Sequence, residues 1–318
     1  MSKPPYRVPT MQEVAAIPWN GFNVVSTFSG GGGSCLGYRM AGFRVVWANE
    51  FVPAARDTYR ANFPTTTLDD RDIRTVQPVD ICAATGLDVG QIDLFDGSPP
   101  CASFSTAGKR DAGWGKVKAY SATKQRTDDL FFEYARLVKG LQPKSFVAEN
   151  VSGLVKGTAK GYFKEILAAL RGCGYRVTAR LLDAQWLGVP QARQRLIFVG
   201  VREDLGLEPA HPKPLAYQYS LRDALPDARY EIERETDISH FAIGKEARMM
   251  KAGEQSTKYF SLQRASWSNP CPAVTQTLGG GTDGYCSAAG VIHPDDLRRF
   301  SVGECKQICA FPDDFILT

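Results

Sequence analysis

From residue 23 to about residue 201, short apolar runs alternate with stretches in which apolar side chains recur at helical spacing. The runs at 23–28, 43–48, 92–96, 145–149, 175–183 and 195–201 predict strands, and the stretches at 53–62, 129–140 and 162–172 predict helices. Strands separated by helices imply an α/β fold, a mostly parallel sheet with helices on both faces. In such sheets ligands bind beyond the carboxyl ends of the strands.

After Asp204 the pattern changes. Residues 205–282 hold many Pro, Tyr and charged side chains with little sustained period, which predicts a second, smaller domain or a large insertion. Residues 293–315 predict a returning helix that begins near Ser301 and stops before Pro312. The expected division is a main domain of residues 1–204 completed by 291–318, and a smaller domain of residues 205–290.

Composition adds modest limits. The 318 residues are 43% hydrophobic and 23% charged, ordinary for a globular chain with a core. A net charge of +4 leans toward an anionic partner without naming one. The eight cysteines form no CxxC pair and no disulfide-framework spacing. Cys305 and Cys309 would share a helix face, but no histidine lies close enough in sequence to suggest zinc. They read as free thiols in a reducing compartment, and no metal site is expected. Residues 1–21 lack the apolar core of a signal peptide, and no run is long enough to span a bilayer. A soluble, cytoplasmic protein with no membrane partner is expected.

Two segments carry candidate chemistry. Phe28-Ser29-Gly30-Gly31-Gly32-Gly33 follows a strand and opens a helix, so its glycines let backbone approach a ligand and leave helix N–H groups free to bind it. Glu50 ends the next strand, where an acid can accept from ribose hydroxyls. A nicotinamide enzyme, or a tight turn without a ligand, would show the same pattern. The second segment, Asp96-Gly97-Ser98-Pro99-Pro100-Cys101, fixes the backbone with two prolines just before a thiol at a strand end. Glu149-Asn150 ends a later strand, and Gln191, Arg193 and Arg195 alternate into another, which predicts one shared face. A thiol, a carboxyl and two guanidiniums would then converge on one cleft. Singly, Glu-Asn would serve as a cap and Arg-x-Arg as a solvated face.

In this order the motifs resemble the cytosine-5 DNA methyltransferase family over residues 22–315. The matching pieces are FSGGGGSCLG (28–37), ANE (48–50), RDI (71–73), PPCASFS (99–105), DDLFFEYARLVKGLQPKSFVAENV (128–151), GVPQARQRLIFVG (188–200), RASWSNPCPAVTQT (264–277) and HPDDLRRFSVGECKQICAFPDDF (293–315). The resemblance implies a Rossmann-like methyltransferase fold using S-adenosylmethionine, which leaves as S-adenosylhomocysteine. It implies that Phe28, Gly30 and Gly32 line the cofactor pocket, that Glu50 holds the ribose, and that Asp72 and Ile73 hold the adenine. Ser29, Gly33, Phe51, Pro99 and Leu130 join that set.

By the same resemblance Cys101 adds to carbon 6 of a flipped cytosine, Glu149 contacts its N3 and N4, and Asn150 positions the Pro-Cys segment. Arg193 and Arg195 would hold the base oxygen and a nearby phosphate. The chemistry requires this: carbon 5 is a poor nucleophile until a thiolate bonds at carbon 6. Residues 108–126 carry Lys109, Arg110, Lys116, Lys118, Lys124 and Arg126 against the single acid Asp111, as a flexible loop closing on phosphates would. Ser103, Ser105 and Gln191 complete the implied DNA contacts, and residues 205–290 become a target-recognition domain. The implied partners are double-stranded DNA and, within restriction-modification, a cognate endonuclease. A monomer acting at the nucleoid of a bacterial or phage-infected cell is expected.

Two features depart from the family. Ala102 stands where a glutamine is usual, and the family's final Gly-Asn motif is not found through Thr318, which predicts weaker cofactor binding unless something replaces it. A transfer-RNA substrate is the nearest alternative, but Ser105 stands where that branch has threonine, and the variable region is sizeable. A DNA-binding pseudoenzyme would have no use for Cys101, Glu149 and both arginines. A nicotinamide oxidoreductase explains the glycine loop alone.

Overall fold

A computed structural model describes residues 3–100, 118–120, 123–125, 129–155, 160–226, 230–233, 236–259, 261–275 and 290–318. Its strands in chain order begin with β1 (Asn23–Thr27), β2 (Arg44–Asn49), β3 (Thr67–Asp69), β4 (Leu94–Gly97), β5 (Lys118–Tyr120), β6 (Thr123–Gln125) and β7 (Ser145–Val151). They continue with β8 (Tyr175–Asp183), β9 (Gln191–Ala192), β10 (Gln194–Arg202), β11 (Gln263–Arg264), β12 (Cys271–Pro272) and β13 (Val291–Ile292). The helices are α1 (Met11–Ala16), α2 (Gly33–Met40), α3 (Pro53–Asn62), α4 (Pro78–Thr85), α5 (Leu130–Leu141), α6 (Lys160–Arg171), α7 (Leu221–Ala224), α8 (Ala242–Met249) and α9 (Val302–Ile308).

Seven strands form one sheet in the order β3-β2-β1-β4-β7-β10-β8. The pairs from β3 across to β7 are all parallel, whereas β10 runs antiparallel to β7. The expected α/β architecture is therefore present, with β10 reversed against β7. Each of the six predicted strands appears within two residues of its expected bounds. The pattern did not reveal β3 or α4: β3 is three residues long with no buried side chain, so it carries no apolar run.

The chain packs as two compact units. The larger comprises Met11–Leu182, Arg195–His211 and Ile316–Thr318; the smaller comprises Met1–Thr10, Asp183–Gln194 and Pro212–Phe315. Contacts thus group residues 293–315 with the smaller unit, whereas the sequence pattern assigns them to the main domain. Helix α9 begins one residue after Ser301, whose hydroxyl caps it while Glu304 reaches back to the Ser301 N–H.

The core of the larger unit is built on the inner faces of β4, β7 and β10 and on α5 and α6. Helix α5 buries Leu130, Phe131, Tyr134, Ala135, Leu137, Val138 and Leu141, a stripe at helical spacing. Tyr134 comes close to the sheet because β4 ends in glycine. A Cβ on Gly97 would lie 2.6 Å from both Thr27 Oγ1 and the Tyr134 ring. The Tyr134 hydroxyl donates to the carbonyls of Phe95 and Val147, both at 3.1 Å. Among the described residues, no helix is long and apolar enough to cross a membrane.

Candidate active site

Strand order reverses between β1 and β4, since β2 and β3 lie on one side of β1 and β4 and β7 on the other. The carboxyl ends of these two strands flank the switch point, where open α/β sheets bind ligands. The glycine segment leaves β1 there, and the Pro-Cys segment leaves β4.

Phe28, directly after β1, has φ 52, a left-handed conformation costly for an aromatic residue, by about 1–3 kcal/mol. Gly32 caps α2 with φ 96, and a Cβ there would lie 2.2 Å from the Phe63 ring. Gly30, with φ 54, faces open space. Glu50, only 8% exposed directly after β2, accepts from the Gly30 N–H through Oε2 and from the Val52 N–H through Oε1, each at 2.7 Å. Burial pushes this carboxyl up, against the backbone donors that favour its charged form. Each oxygen keeps a second lone pair that could accept from a diol. Ser29 is buried and donates to Ser26, while Phe51 stands 36% exposed beside Glu50.

Beyond β3, Asp72 accepts from the backbone N–H of Arg74 at 3.0 Å and from its guanidinium at 3.1 Å. The side chains of Ile73 and Leu130 are both in the core, at 3% and 2% exposure. Their contribution to a ligand site would come largely from backbone and from the rim of the side chain. Gly33 is the first residue of α2 and is exposed.

Adjacent residues of β7 face opposite ways, as strand geometry requires. Asn150 is buried, and its Nδ2 donates to the Pro99 carbonyl at 3.2 Å, tying β7 to the segment that enters the Pro-Cys motif. On the other face Glu149 Oε1 meets Arg195 Nε at 2.6 Å. Antiparallel pairing explains this contact. Arg195, near the start of β10, pairs with Val151 at the end of β7, so Glu149 is its diagonal neighbour on the same face.

Of the three residues expected to alternate on one face, Gln191 and Arg195 stand in different ladders. Gln191 lies in β9, which pairs with β12 in a separate two-stranded sheet, whereas Arg195 belongs to β10. The intervening chain closes on itself: the Arg193 N–H donates to Asp183 and its carbonyl accepts from the Ala184 N–H. Gln191, expected to contact DNA, is 2% exposed in the smaller unit and donates to Cys309 Sγ. Arg193 Nη1 donates to the Val274 carbonyl within that unit.

Cys101, Ser103, Ser105, Lys109, Arg110, Lys116 and Arg126 lie outside the described residues. Lys118 and Lys124 belong to β5 and β6, which pair antiparallel, so part of the expected basic loop is a hairpin.

One residue quoted in the Pro-Cys segment received no role from sequence. Asp96, 3% exposed in β4, accepts from the hydroxyls of Ser26 and Ser34 at 2.8 Å and of Tyr38 at 2.9 Å. Burial pushes its carboxyl up, opposed by these donors. It binds the end of β4 to β1 and to α2. The signal was present: an acid closing an apolar strand needs buried partners.

The family model for C-5 cytosine-specific DNA methylase matches residues 22–318. The chain is 33% identical to the type II methyltransferase M.MthTI of Methanothermobacter thermautotrophicus, over 92% of this chain and 88% of that protein. It is 34% identical to M.NgoPII of Neisseria gonorrhoeae, over 96% and 89%. Among solved structures it resembles a prophage-encoded E. coli protein described as a DNA modification methyltransferase, with TM-score 0.68, 24% identity, and coverage of 93% and 90%. It also resembles Spodoptera frugiperda DNMT2, with TM-score 0.67, 18% identity, and coverage of 94% and 91%. Those two likenesses bear on fold, while the family match spans nearly the whole sequence, and on it this chain belongs to the C-5 cytosine-specific DNA methylases.

Proposed function

We propose that the protein transfers a methyl group to carbon 5 of a cytosine in double-stranded DNA, with Cys101 as the nucleophile and the larger unit as the catalytic body. The observation that carries this reading is the Asn150–Pro99 hydrogen bond beside the Glu149–Arg195 pair. It joins the entrance of the Pro-Cys segment to the strand bearing the acid and the cation. The exposed Gly33, the open space at Gly30 and the spare lone pairs of Glu50 fit S-adenosylmethionine, with the ribose at Glu50 and the adenine near Asp72, Ile73 and Phe51. The bound cofactor would supply the methyl group as an electrophile on its sulfonium.

The chain's own residues would do the rest. The Cys101 thiolate forms a bond to carbon 6 of a flipped-out cytosine, and the electron pair of the carbon 5–carbon 6 double bond becomes available at carbon 5. A protonated Glu149 would donate to N3 while its other oxygen accepts from the N4 amino group, and Arg195, beside it, would donate to the base oxygen. After methylation a base takes the proton from carbon 5, the double bond re-forms, and the thiolate leaves carbon 6. Arg193 and the basic residues between Lys109 and Arg126 would hold phosphates. The smaller unit would read the target sequence. Its relatives are named as type II methyltransferases, which supports a role beside a cognate endonuclease.

The experiment pairs wild type with Cys101→Ser, using radiolabelled S-adenosylmethionine and either duplex DNA or transfer RNA. Label in duplex DNA that disappears in the variant is expected. Label in RNA would redirect the substrate, and DNA binding without transfer to either would leave a binding protein. A duplex carrying 5-fluorocytosine has no carbon 5 proton to remove, so a denaturation-stable adduct with wild type alone is also expected.

A further inference from the structure

Two arginines cross between the 72–76 turn and helix α5. Arg74, on the turn, sends Nη2 and Nε to the two carboxylate oxygens of Asp129 at 2.8 and 3.2 Å, while its Nη1 holds Asp72 at 3.1 Å. Arg136, on α5, returns the contact: its Nη2 donates to the carbonyls of Ile73 and Val76 at 3.1 and 2.9 Å. Asp129 occupies the N-cap position of α5, yet its side chain accepts no cap hydrogen bond from that helix. An N-cap aspartate ordinarily accepts from the backbone N–H groups two or three residues further into the helix. Here the fork of Arg74 takes its carboxylate instead.

We propose that Arg74 is a positioning residue. By gripping Asp72 and Asp129 together it sets the distance between the 72–73 turn and the first turn of α5, and so the affinity for the adenosine half of the cofactor. The inference rests on the reading above, in which Asp72 and Ile73 border the adenine and Leu130 belongs to the cofactor pocket. A lone ion pair at this exposure adds little to folding. What a guanidinium fork adds is orientation, because its donors match a carboxylate in one geometry.

Each side also holds its own shape without Arg74. The turn closes through Thr75 and Val76 N–H groups onto the Asp72 and Ile73 carbonyls, and Arg136 pins it from behind. Helix α5 is fixed by its buried stripe. Removing Arg74 should therefore loosen the relation of turn to helix while leaving the fold intact.

The test uses the full chain with Arg74→Ala, Arg74→Lys, Asp129→Asn and the Ala/Asn double variant. S-adenosylhomocysteine affinity is measured by calorimetry, alongside KM for S-adenosylmethionine, kcat and Tm. Affinity about tenfold weaker is expected in Arg74→Ala and Asp129→Asn, with the double variant no worse than either single, as coupled residues behave. Partial recovery in Arg74→Lys is expected, with kcat at saturating cofactor and Tm close to wild type. Glu50→Ala and Asp72→Ala are the controls. If neither changes S-adenosylhomocysteine affinity, the cofactor reading itself fails. If they weaken it while Arg74→Ala does not, or if the losses at Arg74 and Asp129 simply add, the positioning role is overturned.

Discussion

Asn150 and Asp96 show how single side chains at this sheet edge carry different duties. Asn150 donates to the backbone carbonyl of Pro99 and so acts on the entrance of the Pro-Cys segment. Its replacement by alanine should lower kcat about a hundredfold, the usual scale for a misplaced reacting group, with cofactor KM little changed. Steady-state kinetics separate the two effects, and a loss confined to KM would contradict the assignment. Asp96 is held by hydroxyls that can rotate to accept from an amide. Its carboxyl titrates above the ordinary aspartate range in the folded protein because burial dominates. Its contribution to stability is therefore complete below the unfolded pKa and is lost as pH rises through the folded one. Asp96→Asn removes that loss. The stability of the variant relative to wild type should rise as pH climbs above the ordinary aspartate pKa of about 4, as read by urea unfolding. A flat or falling difference would show that burial does not control this carboxyl.

At the scale of elements, α9 depends on a buried ion pair. Arg298 donates to both oxygens of Glu304 at 2.7 and 2.9 Å, with each side chain 10% exposed. Glu304 also accepts from the Ser301 N–H, completing the cap. Burial pushes the Glu304 carboxyl up, but Arg298 and the Ser301 N–H outweigh it and hold it below the usual range. Glu304→Ala leaves a buried guanidinium short of its partner and should cost about 3–5 kcal/mol. Because the folded pKa is lowered, this stabilisation is present above the unfolded pKa and disappears as pH falls through the folded one. The gap between variant and wild type in denaturant midpoint should close on acidification. A gap that persists in acid would mean that α9 is held by packing instead.

For the molecule as a whole, a net charge of +4 is spread over a chain whose basic stretch at 108–126 follows the proposed nucleophile in sequence. If four of its lysines and arginines meet phosphates, changing Lys109, Arg110, Lys116 and Lys124 together to alanine removes about four released counterions. The slope of log K against log salt for a DNA duplex should then shrink by about 0.9 per lost contact. An unchanged slope would assign those side chains to solvent.

The order of elements along the main sheet was legible in the sequence, because hydrophobic period is local. Hydrophobic period marked six strands of the main sheet, and glycine and proline punctuation marked the loops leaving β1 and β4. Pairing was not local. That Glu149 meets Arg195 follows from the antiparallel register of β10 against β7, and that Gln191 turns inward follows from β9 joining β12. An alternating Gln-x-Arg-x-Arg spacing contains no information about where the chain leaves one sheet for another. The contacts of Asp96 with Ser26, Ser34 and Tyr38, and of Arg74 with Asp129, were hidden for the same reason: the partners stand 55 or more residues apart. Sequence alone determined which chemical groups this protein possesses and at which strand ends they stand. Tertiary structure decided which of them touch, because contact depends on register and burial, and both are set by the packing of the whole sheet.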